Sequence, residues 1–457
     1  MLDDKAQSFV NDLKVFYKHM LKNSLVSFDK PVDRTDFLLR LRSDILSRTY
    51  QPSSPREYII FNKINYVARI VPTFTLRDYC LYFYCIKKLE PILCQDRIEG
   101  TFGGWRLPNT IKNIEELETE GMIDYIDVPY LPYSSLSILE WIKNWKAFSK
   151  LTFLKTQHFF NGSSCVIIFD IANFYDNIKL DILERKLRLK CEQPPLNRVI
   201  DLLLYFLRYW NKPFEGYVPK NVGLPQEETG DCSRLLANFY LQQYDAFMFN
   251  ICAKYEAEYL RYADDMMIFA HDEAIAKHIM FEASKELHKL GLNINAGKVK
   301  ILDELEFAEY EAFDILNLLG EPNIADIERA VDLFLLKKQD VNKPFHEERI
   351  LKRLITLLAK TDVSTIDTEK RETLLKYLLS EENLINSSEW YLTNLLKITS
   401  QIGLEHIFLE KLDNLIQLVD FNSFHYQLKH FYDKNKIDYN KHMLEEEINK
   451  RKIRVSL

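Results

Sequence analysis

The sequence predicts a mixed α+β fold: a small antiparallel sheet dressed with helices, followed by a region made of helices alone. Three observations carry the prediction. Residues 261–270, Arg-Tyr-Ala-Asp-Asp-Met-Met-Ile-Phe-Ala, read as two apolar strands joined at a tip of two carboxylates. Val166-Ile167-Ile168-Phe169-Asp170 is a second apolar run that ends on an acid. From about Pro322 onward, charged segments carry Leu and Ile at helical spacing, as in Ile350, Leu351, Leu354, Ile355 and Leu358.

The acids set the chemistry. Neighbouring residues of an extended chain point to opposite sides, so one of Asp264 and Asp265 faces a cleft while the other supports it. Oxygen-only ligands suit a hard cation such as Mg²⁺. A tight turn is the alternative, because Asp favours turns. Asp170 at the end of a buried strand is costly unless a metal or a base accompanies it. Three acids from two strand ends could hold two metal ions about 4 Å apart, which clamps the attacking and leaving oxygens of phosphoryl transfer.

Composition narrows the class. The chain has 457 residues, a 47% hydrophobic share and only 12 glycines, enough for two or three domains with short linkers. No apolar segment approaches the roughly 20 residues of a membrane span. The acidic start, Met1-Leu2-Asp3-Asp4, is unlike a signal peptide. Seven cysteines without a Cys-x-x-Cys pair read as reduced core thiols, so a cytoplasmic location and no membrane partner are expected. The net charge of −7 does not advertise a nucleic-acid partner, but local clusters of Lys and Arg decide that affinity.

Tyr262-Ala263-Asp264-Asp265 resembles the third palm motif of reverse transcriptases, and Phe169-Asp170-Ile171 with Phe174-Tyr175-Asp176 resembles the first. Gly223-Leu224-Pro225-Gln226 and Ser233 to Asn238 are similar to the second, and Gly291 to Lys298 to the fourth. The resemblance spans about residues 58–300. It implies a right-hand polymerase with fingers and palm, and a nucleotidyl transfer of deoxynucleotides (dNTPs) supported by two Mg²⁺ ions, or by Mn²⁺ in their place. Asp170, Asp264, Asp265 and the Ile171 carbonyl would be the ligands. Lys298 would stand near the pyrophosphate leaving group, donating a proton or neutralising charge; a solvent lysine after a turn is the plain alternative. Lys63 and Arg69 would grip the triphosphate, or stand as exposed strand cations. Tyr175 would be a steric gate against a 2′-hydroxyl, or a core tyrosine beside Phe174. Gln226 would lie at the nucleotide, and Arg106 and Tyr262 would touch nucleic acid. Glu227 departs from the family, which usually has Gly there, and two extra residues separate Gln226 from Ser233, so the loop is expected to take its own path.

In order along the chain, residues 1–57 read as helical first and irregular later, 58–160 as fingers with an acidic insertion over about 107–135, and 161–318 as palm. Residues 319–457 read as a helical, solenoid-like domain. Its cations, among them Lys337, Lys338, Arg349, Lys352, Arg353, Lys450 and Arg451, are either phosphate contacts or a solvated face. A reverse-transcriptase core followed by an all-helical region is most similar to the abortive-infection and defence-associated bacterial enzymes. That likeness implies an antiphage role, a noncoding RNA template with a DNA product, and a homo-oligomer. Priming from a nucleic-acid or protein hydroxyl, and extension without a template, stay open. An RNA-dependent RNA polymerase, or an idle palm serving as an RNA scaffold, are the competing readings.

Overall fold

The computed structural model describes residues 3–29, 33–63, 66–105, 107, 140–159, 164–191, 193–211, 223–228, 232–320, 322–340 and 343–452. They fall into two compact units. The first holds the described residues up to 57 and those of 72–304; the second holds those of 58–71 and 305–452. Residues 58–71, read above as the start of the fingers, therefore group with the helical region.

In the first unit, α1 (Asp4–Asn23) begins where the Asp3 carboxylate accepts the Ala6 N–H at 2.7 Å. A second helix, α2 (Arg34–Leu46), occupies the stretch expected to be irregular. Only Leu38 and Leu41 of it are buried, too short a stripe to show a period, yet Asp33 caps it by accepting Thr35 N–H at 2.7 Å. After the strands β1 (Glu57–Asn62) and β2 (Ala68–Thr73), described below, α3 (Leu76–Leu93) is buried almost all round and packs on α1.

The five-stranded sheet follows in pieces. It contains β3 (Thr101–Phe102), β4 (Cys165–Asp170), β5 (Glu258–Tyr262), β6 (Asp265–Ala270) and β7 (Lys300–Leu302), in the order β3-β5-β6-β4-β7. The helices between are α4 (Glu140–Phe159), α5 (Phe174–Asn177), α6 (Leu180–Lys190), α7 (Pro194–Tyr209), α8 (Cys232–Lys254) and α9 (Glu273–Lys289). Pro194 and Pro195 open α7, where a missing N–H costs nothing. β4 is buried at all six positions and β6 at five. Helices α4 and α9 both cover this sheet, which is why these strands read as unbroken apolar runs rather than alternations. One continuous core joins α1, α3, α7, α8 and the sheet.

In the second unit, β1 and β2 form a two-stranded hairpin. A hairpin of two strands is marginal alone. Here the fully buried Asn422 serves as a third strand edge: its Oδ1 accepts Ile60 N–H at 2.6 Å and its Nδ2 donates to the Tyr58 carbonyl at 3.0 Å. Tyr66 packs its ring on Phe421. The remaining helices run from Glu304–Glu311 to Lys441–Lys450, each mostly against helices near it in sequence. The cations named above are engaged within the unit. Lys337 meets Asp314, Lys338 meets Glu347, Arg349 meets Glu311, Lys352 meets Glu348, and Lys450 and Arg451 meet Glu447. Arg353 donates to the Leu319 carbonyl at 2.7 Å.

Candidate active site

Strand register brings the acids together. β4 and β6 are antiparallel neighbours, and their pairing places Asp170 directly opposite Asp265. Tyr262 pairs with Asp265 across β5 and β6, so Ala263 and Asp264 form a two-residue turn. The two central strands of the sheet thus end in carboxylates facing each other, an arrangement that destabilises a sheet unless a cation intervenes. Asp170 is 6% exposed, and its Oδ1 is buried without a hydrogen-bond partner. Asp265 keeps an exposed edge. Lost hydration, then the charges of Asp264 and Asp170, push its carboxyl up to about 7, against the opposing pull of Lys298.

Lys298 supplies one cation. A 3₁₀ turn over Ala296–Lys298 follows Asn295, whose N–H donates to the Asp170 carbonyl at 2.9 Å. Ile171 bridges Ile294 on the same connection. Lys298 Nζ then reaches Asp170 Oδ2 at 2.5 Å. That bond, ahead of the attraction of all three acids, holds the ammonium above its ordinary value. Lys298 therefore sits among the carboxylates and is not a distant solvent lysine.

Tyr175 is half-buried against Phe174, ring centroids 5.6 Å apart. Its carbonyl accepts Leu224 N–H at 3.0 Å. Gly223, at φ +66, lies so close that a Cβ there would stand 2.1 Å from the Tyr175 carbonyl oxygen. Only glycine tolerates both the angle and the approach. The loop carrying Gln226 is thus docked on the turn carrying Tyr175. Glu227 accepts Ser233 N–H at 2.6 Å in the first turn of α8, and Glu228 accepts Leu25 N–H and the Ser24 hydroxyl at the end of α1.

The other expected residues are distributed. Tyr262 ends β5, half-buried, its ring 5.5 Å from that of Phe148. Lys63 and Arg69 lie on the hairpin of the second unit, both exposed. Arg106, and all of the 107–135 insertion except Leu107, lie outside the described residues. Three residues that sequence reasoning missed stand behind the turn: Asn238, Asp245 and Arg261. A charged residue inside an apolar strand, as Arg261 is, was the available signal.

Among the described residues no three His, Cys, Asp or Glu side chains gather as a ready-made metal cluster. Three carboxylates without a counter-charge repel one another, and Lys298 draws Asp170 Oδ2 toward itself. The residues nonetheless fit a hard divalent cation: the donors are all oxygen, and the Asp170 Oδ1 is buried and unpartnered.

Residues 133–312 match the family model described as reverse transcriptase (RNA-dependent DNA polymerase). The chain carries a reverse transcriptase domain, and its activity belongs to the nucleotidyltransferases. Among solved structures it is similar to telomerase from Candida tropicalis in complex with a TWJ fragment of telomeric RNA, at 13% identity and TM-score 0.35, covering 85% of this chain and 70% of that one. Telomerase from Candida albicans with the same kind of fragment gives 12% identity and TM-score 0.35, over 91% and 65%. Apo telomerase from Candida tropicalis gives 12% and 0.33, over 82% and 73%. At these scores the three likenesses carry no argument about this chain.

Proposed function

We propose that the protein is an RNA-directed DNA polymerase that adds dNTPs to a primer hydroxyl at the ends of β4 and β6. The observation that carries the reading is the register pairing of Asp170 with Asp265, with Asp264 in the adjoining turn and Lys298 on Asp170. Asp170, Asp264 and Asp265 would hold the divalent cation, Mg²⁺ or Mn²⁺, with the Ile171 carbonyl adjacent. Bound there, the cation neutralises charge on the reacting phosphate and lowers the pKa of the attacking hydroxyl. Lys298, already drawn into this acid cluster, serves the departing pyrophosphate, by charge or by proton. Tyr175, whose carbonyl accepts the Leu224 N–H, would serve as the steric gate, its ring opposing a ribose 2′-hydroxyl. Gln226, Tyr262 and Arg106 serve the bases and backbone of the nucleic acid.

The finer reading is an antiphage enzyme of the cytoplasm that copies a bound noncoding RNA into DNA, working as a homo-oligomer. Its support is the pattern of a polymerase core followed by a helical region. The test of activity is incorporation of labelled dNTPs by the purified protein on RNA and DNA templates, with the co-purifying nucleic acid sequenced. Incorporation of ribonucleotides alone would favour an RNA polymerase, and a stably bound RNA without incorporation would favour the scaffold. Plaque counts on cells expressing the wild-type chain or the Asp264→Ala, Asp265→Ala variant test the antiphage role.

A further inference from the structure

Arg261 stands on the hairpin that ends in the two acids, yet its side chain is fully buried. Four contacts use its guanidinium. Nε donates to Asp245 Oδ1 at 2.8 Å and Nη2 to Asp245 Oδ2 at 2.6 Å. Nη1 donates to Asn238 Oδ1 at 2.7 Å and to the Ala263 carbonyl at 2.7 Å. The Tyr259 hydroxyl also donates to Asp245, at 3.1 Å, and Asn238 Nδ2 donates to the Gly103 carbonyl.

The object at the end of this chain is strained. Ala263 sits at φ +54, a left-handed conformation that an L-residue adopts at a cost. Its N–H donates to the Phe102 carbonyl at 3.1 Å, while its own carbonyl is the one Arg261 holds. Gly103 lies directly behind: a Cβ on it would stand 2.9 Å from the Ala263 nitrogen. Both backbone polar groups of one strained residue are therefore fixed from inside the fold, next to the two acids. A buried ion pair is a poor source of stability, since apolar residues of similar volume often serve as well. Its geometry is the better explanation for its presence.

We propose that Arg261 is a positioning residue. Braced by Asp245 and Asn238, it holds Ala263 in its left-handed conformation and so sets the direction of Asp264 and Asp265. The inference rests on the reading that these carboxylates carry the reaction. It adds that their placement is decided by a buried clamp on the α8 side of the sheet.

The test separates positioning from mere structure. Arg261→Lys keeps the charge but cannot span Asp245, Asn238 and the Ala263 carbonyl at once. It is expected to lower kcat roughly 100-fold, the scale of a misplacement of about 1 Å, with primer–template Kd unchanged. Glycine takes φ +54 without strain, so adding Ala263→Gly to Arg261→Lys is expected to restore roughly tenfold. Asn238→Ala, which leaves the Asp245 pair intact, gives the same direction if Arg261→Lys does not fold. A readout without metal or substrate accompanies these: amide hydrogen exchange of the peptide spanning residues 262–265 should speed up in both variants, with exchange elsewhere in the sheet unchanged. No rescue by Ala263→Gly, or unchanged exchange at the turn, overturns the proposal. If the wild-type chain incorporates no nucleotide, the polymerase reading fails while the exchange measurement still decides the clamp.

Discussion

The tip of the central sheet and the helical region after residue 305 treat charge in opposite ways. At the tip, Asp170 faces Asp265 in register, Asp264 adjoins them, and one buried oxygen of Asp170 has no partner. In the helical region the cations named above meet carboxylates or carbonyls of their own unit. A site that leaves like charges opposed requires something from outside. The contrast is between opposed carboxylates at the tip and cations that each have a partner within the helical region.

The comparison breaks first if the tip is inert. Replacing Asp264 and Asp265 together by Ala should reduce nucleotide incorporation to background while leaving the circular dichroism spectrum unchanged; retained polymerisation would remove the site. A large effect is also expected in the helical region, but on stability. Arg349 covers Glu311, whose side chain is 1% exposed. Arg349→Ala leaves that carboxylate buried and should cost about 3 kcal/mol in denaturant unfolding. Lys352→Ala, at an exposed pair, should change it by less than about 1 kcal/mol. Equal effects from the two would mean that burial does not decide the worth of these pairs.

Tyr175→Ala sharpens the picture of the tip. It should raise ribonucleotide incorporation relative to deoxynucleotide by roughly 10- to 100-fold, since one steric contact is worth about 1–3 kcal/mol. An unchanged ratio makes Tyr175 a packing residue.

The smallest effect concerns Glu228, which burial pushes up to about 7 despite its bonds to Leu25 and Ser24. A folded-state pKa above the ordinary 4.5 means that the native state binds the extra proton between those values. Stability from this group is then greatest below pH 4.5 and declines as pH rises to about 7. Glu228→Gln should flatten that part of the melting-temperature profile. A variant profile parallel to wild type would show that Glu228 titrates normally.

The sequence by itself determined the local elements and the chemical type of the site. β4 and β6 are legible because strands covered on both faces are continuous apolar runs, and the acids ending them are legible because a carboxylate there is costly without a purpose. The tertiary structure decided the rest. Which acid faces which is a matter of register, fixed only when β4 pairs with β6. Helix α2 escaped notice because its two buried leucines make no period until α1 supplies a face to bury them. Lys298 is singled out in the sequence by its resemblance to the fourth palm motif, but its bond to Asp170 appears only once the Asn295–Asp170 backbone bond carries it onto the carboxylate. Arg261 is legible only as a charge in an apolar strand, and Asp245 and Asn238 as polar residues of a helix. Their bonds close across the core over sequence separations that no local pattern encodes, so only the folded chain shows them converging on Ala263.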